Sequence, residues 1–447
     1  MADALDPNLL NDLIKAALAA GADAAEAVAS RRQSLSVGVR NGALDEVERS
    51  ESADLGLRVF VGQRQATVSA ADASAASRAR LIERAVQMAR LAPEDPYARL
   101  ADPDLLARAP WPDLETLDDT ERTAEALQAD AAEAEGHALS VEGVSKSEGA
   151  DAGWSRGEWR LVTSTGFDAG YAQSAFSLGV GVIAERDGAM ERGGESRSAR
   201  WLADLPDAKA IGIEAGERGV AALGARKIAS TTAPVIIDNR IAIQMLSPLL
   251  QAISGPAVAR GVSFLKDRLG QAVLPPGVEL IDDPFRPRGL GSTPFDDEGV
   301  TVAPRAIVED GRLTTWLLNT ASAAQLGLAS TGHASRGSAG PSGVSTHNLH
   351  LAPGDQDQPG LMTSARRGLL VTAMFGPSLN PNTGDWSAGV SGFWFENGER
   401  VHPVSEVTIA GSLIELYARL IPGSDLAFRG ARNAPSLLFD AVAIAGK

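Results

Sequence analysis

Apolar residues near the start of the chain recur at helical intervals. Leu9, Leu10, Leu13, Ile14, Ala17 and Leu18 repeat with the three-, four- and seven-residue spacing of a single buried stripe. Asp6 as N-cap and Pro7 at the first helical position open this helix, and Gly21 ends it. The period then changes to two over residues 27–40, most clearly at Leu35, Val37 and Val39, which predicts a strand. Asn41-Gly42 turns the chain, and residues 43–49 return as a second strand. Residues 55–61 and 64–69 predict another hairpin around Gly62-Gln63. Ser74 caps a long helix to Leu91, with Leu81, Ile82, Ala85, Met88 and Ala89 along one face. Helix, four antiparallel strands and helix make a compact α/β unit, placed at residues 1–110.

Residues 92–117 contain Pro93, Pro96, Pro103, Pro110 and Pro112 and little periodic apolar character, which predicts a linker. A second α/β unit is placed at 118–226. It has a helix over 120–135, strands over 140–147, 149–164, 168–177 and 178–185, a tight turn at Asp187-Gly188, and a closing helix over 208–223. Its element order repeats that of the first unit without a residue-level repeat.

The third unit, 233–447, starts with the short apolar strand 235–237, followed by a helix capped by Asp238-Asn239 and running towards Ser254. Strands are expected at 278–281, at 306–308 and 313–318 around Asp310-Gly311, and at 369–375. Two glycine- and serine-rich stretches, 330–346 and 376–392, are expected as exposed loops. The expected fold class is therefore α+β: two N-terminal α/β units with antiparallel sheets, then a β-rich C-terminal domain.

A chain of 447 residues is long enough for two or three such domains. Its net charge of −16 argues against direct nucleic-acid binding, which needs a basic face. The absence of cysteine excludes disulfides, thiolate zinc sites and cysteine nucleophiles. The first residues, Met1-Ala-Asp-Ala-Leu-Asp-Pro7, lack the basic and apolar regions of a signal peptide, and no apolar run is long enough to span a membrane. A cytoplasmic location is expected.

The densest aromatic stretch is Gly392-Phe393-Trp394-Phe395-Glu396, followed by Asn397-Gly398, a return strand over 399–404 with Pro403 marking an edge or end, and a third strand over 406–410. These strands make either a packed sheet core or a wall that meets a peptide or partner. With residues 411–416 and Phe428-Arg-Gly-Ala-Arg-Asn-Ala-Pro-Ser436, the stretch resembles the C-terminal signature of the TldD/PmbA family, closest to its PmbA (TldE) branch. Matching segments at 41–50, 54–62 and 260–270 extend the resemblance over nearly the whole chain.

The resemblance implies a subunit of a TldD/TldE metallopeptidase complex acting on unfolded peptides. The TldD branch carries His-Glu-x-x-x-His on the helix after the first strand of this domain. That motif supplies two imidazoles for zinc and a carboxylate for the metal-bound water. The matching segment here, residues 241–254, contains no His, Glu or Asp and is interrupted by Pro248. This chain is therefore expected to be non-catalytic and to bind no metal, with zinc in a TldD-type partner. A stand-alone homodimer with a peptide-binding or regulatory role, such as DNA gyrase modulation, is the alternative.

Other chemistry finds little support. His347 and His350 could be brought together by a loop but have no third or fourth ligand of known position, and the acids Asp282-Asp283 and Asp296-Asp297-Glu298 either cap turns or bind a hard cation. There is no Gly-x-Ser-x-Gly elbow and no phosphate-loop spacing. The candidate peptide- or partner-binding residues are Trp386, Phe393, Trp394, Glu396, Arg429 and Arg432. Either arginine could serve as a buried structural residue or hold a carboxylate in bidentate fashion.

Overall fold

The structure, a computed structural model, describes residues 5–338, 340 and 342–446. Residues 1–4, and Ala339 and Pro341 in the predicted loop 330–346, lie outside the described residues, as does Lys447.

The first unit is α1 (Pro7–Ala19), β1 (Ala24–Arg40), β2 (Ala43–Val61), β3 (Arg64–Ala70) and α2 (Ala75–Leu91). Asp6 and Ser74 cap the two helices by accepting from Asn8 N and Ser77 N. After the 92–117 connection, which holds one 3-10 turn at Pro103–Leu105, come α3 (Ala124–Leu139), β4 (Val144–Thr163), β5 (Asp168–Arg186), β6 (Ala189–Ala199) and α4 (Ala208–Ala222). The strands are longer and fewer than expected. Predicted strands 43–49 and 55–61 are one strand, β2; of 140–147 and 149–164 only 144–163 is strand, all of it β4; and 168–177 and 178–185 form β5. β2 is exposed from 43 to 53, so no burial pattern marks it as strand there. β6 was not expected at all.

The two units share one six-stranded sheet in the order β3-β2-β1-β4-β5-β6. β1 and β4 pair antiparallel at its centre, from Glu26 opposite Thr163 to Val39 opposite Ala150. The shared element order is thus a spatial duplication about the β1–β4 pair. Odd residues of β1 face the helices: Ala25, Ala27 and Ala29 lie under α1 and α2, and Val37 and Val39 under α3 and α4. The other face carries Val28, Leu161 and Ala169, which pack with Phe295 and Val300 of the C-terminal domain.

That domain runs through β7 (Thr231–Ile237), α5 (Ile243–Ala252), α6 (Gly255–Ala259), β8 (Leu280–Asp283), β9 (Arg305–Glu309), β10 (Arg312–Leu313), α7 (Thr320–Leu326), β11 (Ala334–Ser335), β12 (Gly343–Val344) and β13 (Asn348–Leu351). It continues through α8 (Gln358–Ala365), β14 (Arg367–Leu379), β15 (Asp385–Glu396), β16 (Glu399–Ser412), α9 (Leu413–Tyr417), β17 (Ile421–Pro422), β18 (Arg432–Asn433) and β19 (Leu437–Ala445). Strands β16-β15-β14-β7-β19 form a sheet that β16–β19 pairing, from Thr408–Ala445 to Ala410–Ala443, closes into a barrel. Val235, Ile237, Leu369, Val371, Trp386, Ala388, Val390, Ile409 and Phe439 fill its core together with Leu246 and Leu249 of α5.

Several expectations are corrected here. Residues 376–379 and 385–392 belong to β14 and β15 and are not a loop; glycine and serine there alternate with buried Trp386, Ala388 and Val390. The stretch 330–346 is not simply exposed either, since His333 and Ala334 are buried and β11 pairs with β12. The return strand and third strand are one strand, β16, with a left-handed Glu406 (φ 53°) where the third was expected to start. Asp238 does not cap α5. It accepts from Arg240 N and Nε in the turn before that helix, which starts at Ile243 without a side-chain cap.

Four predicted tight turns have positive φ at both central residues: Asn41-Gly42, Asp187-Gly188, Asp310-Gly311 and Asn397-Gly398. At Gly398 (φ 86°) a Cβ would also stand 2.5 Å from Thr363 Oγ1 of α8. Gly398→Val is expected to cost about 1–3 kcal/mol and to lower the melting temperature by several degrees. An unchanged melting curve would rule out this turn as a determinant of the β15–β16 hairpin.

Candidate peptide-binding cleft

A cavity of about 970 Å³ separates β6 and α4 from the barrel. Residues 190–194 of β6 all line it. Successive side chains of a strand point to opposite faces, so five consecutive residues bordering one space place that space along the strand edge. β6 is the last strand of its sheet: β5 pairs with one edge, and no strand among the described residues pairs with the other. Gly193 lets α4 approach, because a Cβ there would overlap Ala215 O and the backbone of Gly219. The opposite wall comes from Phe375 of β14, Phe393 of β15, Arg400 and 403–405 of β16, and Asp238 and Arg240 after β7.

The charges lining this space balance. Glu191, Glu214, Glu217 and Asp238 face Arg192, Arg218, Arg240 and Arg400. Behind them the buried Glu195 lies between Arg197 and Arg218, and Glu214 bonds the same two arginines. Burial pushes the Glu191 carboxyl up. Met190 and Phe375 are more than half exposed and give the cleft apolar surface. No histidine lines it. A space with a strand edge that no other strand pairs, balanced charge and apolar patches is suited to holding an extended chain rather than to activating a nucleophile.

Of the residues singled out in the sequence, Phe393 lines the cleft, its ring under the Arg400 guanidinium at 4.9 Å. Trp386 is in the barrel core. Trp394 packs partly against that core and donates from Nε1 to Glu396 Oε1 at 3.1 Å, so these two residues partner each other. Arg429 donates to Asn239 Oδ1 at 3.1 Å, beside the cleft residues Asp238 and Arg240. Arg432 holds Thr346 Oγ1 and Ser345 Oγ, both at 2.9 Å. The structure therefore brings Phe393 and Arg429 towards one region and leaves the other four to packing or local bonds. β6 and Arg240 went unnoticed in the sequence. The polar, glycine-containing run Ala-Met-Glu-Arg-Gly-Gly-Glu-Ser-Arg-Ser-Ala of β6 carries no strand signal.

Asp282, His333 and His347 converge in the interior. Asp282 Oδ2 is 3.1 Å from His333 Nε2 and 2.7 Å from His347 Nδ1, and Oδ1 accepts from His347 N at 2.8 Å. His333 Nδ1 is 2.8 Å from Thr331 Oγ1. These residue types can bind zinc, but two ligands on one tetrahedral zinc stand about 3.3 Å apart. Here Asp282 Oδ2 is instead hydrogen-bonded to His347 Nδ1, a contact that would have to open for the three residues to hold an ion. α5 has no ligand side chain in Ile243–Ala252. Burial lowers the His333 pKa, opposed by the Asp282 carboxylate. Burial alone would raise the Asp282 carboxyl, but the two imidazoles outweigh it and hold it well below the usual carboxylate range.

Three family models cover this architecture. Residues 25–89 match the PmbA/TldA metallopeptidase domain 1, 112–223 its central domain and 230–446 its C-terminal domain. The chain belongs to the PmbA/TldD metallopeptidase family, in its PmbA (TldE) branch. It is 36% identical over 433 residues to the metalloprotease PmbA of Escherichia coli O157:H7, covering 96% of this chain and 94% of that protein. A PmbA homologue of Haemophilus influenzae is 34% identical over 443 residues, with 97% and 94% covered. Among solved structures, a protein of Bacteroides thetaiotaomicron described as a modulator of DNA gyrase superposes with a TM-score of 0.92 at 26% identity, over all of both chains. TldE from Thermococcus kodakarensis shares the fold, with a TM-score of 0.88 at 22% identity over 98% of this chain and all of that one. No helix among the described residues is long and apolar enough to cross a membrane.

Proposed function

We propose that this PmbA-branch chain is the non-catalytic, peptide-holding subunit of a cytoplasmic two-chain metallopeptidase. Its TldD-type partner supplies zinc and cleaves unfolded peptides, and this chain carries no metal of its own. The observation that supports this most is the edge of β6 along the cleft, which no strand among the described residues pairs, although the Gly194 and Ser196 carbonyls accept from the Arg218 and Arg197 side chains. An extended peptide adds a strand to such an edge through main-chain hydrogen bonds, which makes recognition tolerant of sequence. Phe375 and Phe393 would take apolar side chains from the opposite wall.

Hydrogen exchange tests this with the full chain and an unstructured peptide. Amides of 190–199 are expected to exchange more slowly with peptide present, together with those around 391–393. Binding accompanied by protection only elsewhere, or no binding by this chain with or without its partner, would overturn the reading.

A further inference from the structure

Beyond residue 194, β6 continues to a second, smaller cavity of about 270 Å³ bordered by Ser198, Ala199 and Arg200. Arg286, Arg288, Phe428, Arg429 and one carboxylate, Asp204, complete its charged and aromatic lining. Four guanidinium groups thus surround one small space in a chain of net charge −16.

Only one of the four is neutralised by acids. Arg288 bonds Glu115 at 2.8 Å and Asp204 at 3.2 Å and lies over the Trp201 ring. Arg200 is buried and donates to the carbonyls of Ser174, Gly289 and Leu290, so its charge is held by dipoles alone. Arg286 is stacked 3.5 Å above the centre of the Phe428 ring and has no ion pair among the described residues. Arg429 donates to Asn239 and likewise has no carboxylate partner among them. Three uncompensated positive charges around a concavity repel one another and raise the local concentration of anions. The planar groups of Arg286 and Arg429 present paired donors of the kind that suit a carboxylate.

The pocket and the cleft border the same strand, with the Glu195–Arg197 ion pair between them. Gly194 borders the first and Ser198 the second, about 13 Å apart along an extended strand. Asn239, which Arg429 touches, sits between the cleft residues Asp238 and Arg240.

We infer that this arginine pocket binds a carboxylate of the peptide lying along β6, either its C-terminal α-carboxylate or an acidic side chain near that end. The inference rests on the peptide-holding reading of the cleft. An α-carboxylate in the pocket places the peptide parallel to β6, with its C-terminus towards Ala199. Substrates would then be registered by their acidic end, while the β6 edge accepts the intervening sequence.

Fluorescence anisotropy with the full chain tests this. The probes are three versions of one N-terminally fluorescein-labelled Gly/Ser/Val peptide: the free acid, the C-terminal amide, and an amide with glutamate next to the end. The free acid is expected to bind about ten- to hundredfold tighter than the plain amide, the range for charge-assisted bonds. The glutamate version separates the two sources: tight binding by it assigns the pocket to acidic side chains as well, and weak binding assigns it to the α-carboxylate alone. Arg286→Gln and Arg429→Gln should each bring the free acid close to the amide's affinity. Should either variant fail to fold, salt decides, because the wild-type preference must shrink as ionic strength rises. Equal binding of all three peptides, with β6 still protected from exchange, would overturn the pocket and leave the cleft reading intact. Absence of peptide binding by this chain, alone or with its partner, would overturn both.

Discussion

Replacing Asp282 by alanine is expected to destabilise the chain by about 3–5 kcal/mol, the usual cost of removing one partner from a buried charged network. Asp282 is 1% exposed and accepts from both imidazoles and from the backbone of His347. Its loss leaves buried ring nitrogens without an acceptor and releases the link between β8 and the 330–347 segment. The neighbouring Asp283 is a useful contrast. It is half-buried and accepts from Phe285 N at 2.8 Å, so Asp283→Ala should cost only about 0.5–1.5 kcal/mol. Urea denaturation of the two variants side by side measures the difference. Equal midpoints would remove Asp282 as a structural centre.

The same cluster sets a pH dependence. The His333 pKa is lowered on folding, so its contribution is present above about pH 6.5, the unfolded value. It is lost as pH falls from there through the lowered folded value. Asp282, also lowered, keeps its contribution above about pH 3.9 and loses it further into acid. Asp296 acts in the opposite sense: burial and the charge of Glu298 raise its pKa, so its contribution is present in acid and is lost as pH rises through the raised value. The His333 part of the profile, a loss of stability as pH drops below about 6.5, should be absent in His333→Gln, while the opposing Asp296 part remains.

The features that were legible in the sequence are local ones. The stripe Leu9–Leu13–Ala17 and the Asn-Gly and Asp-Gly pairs specify a helix face and positive-φ turns within a few residues, and the structure has them where expected. Strand limits were not legible where burial fails to alternate. β2 is exposed on both faces from 43 to 53, and glycine and serine in 385–392 look like a loop until buried Trp386, Ala388 and Val390 are seen between them. The candidate site was legible at Phe393 and Arg429, which stand out by residue type. The rest was hidden for two physical reasons. A strand edge that no other strand pairs is a property of backbone and topology, so the side chains of β6 do not advertise it. Contacts such as Asp282 with His333 and His347 join residues 51 and 65 positions apart, which no local pattern encodes.

The second large effect concerns cleavage itself. Hydrolysis of a peptide bond needs an activated nucleophile and stabilisation of the oxyanion. The cleft of this chain offers hydroxyls such as Ser391 and Ser405 but no histidine to activate them, and α5 offers no metal ligand. The chain alone should leave an unstructured peptide intact. Addition of a TldD-type chain bearing His-Glu-x-x-x-His should give rapid cleavage that a chelator abolishes. Substituting the motif glutamate in the partner should abolish it too, while Phe393→Ala in this chain should slow it without altering the partner's zinc content.

The most direct measurement is that mixing assay, run with a fluorogenic unstructured peptide, with each chain alone and with both together. The account predicts no cleavage by this chain and efficient, chelator-sensitive cleavage only in the mixture. Cleavage by this chain alone that survives a chelator would contradict it.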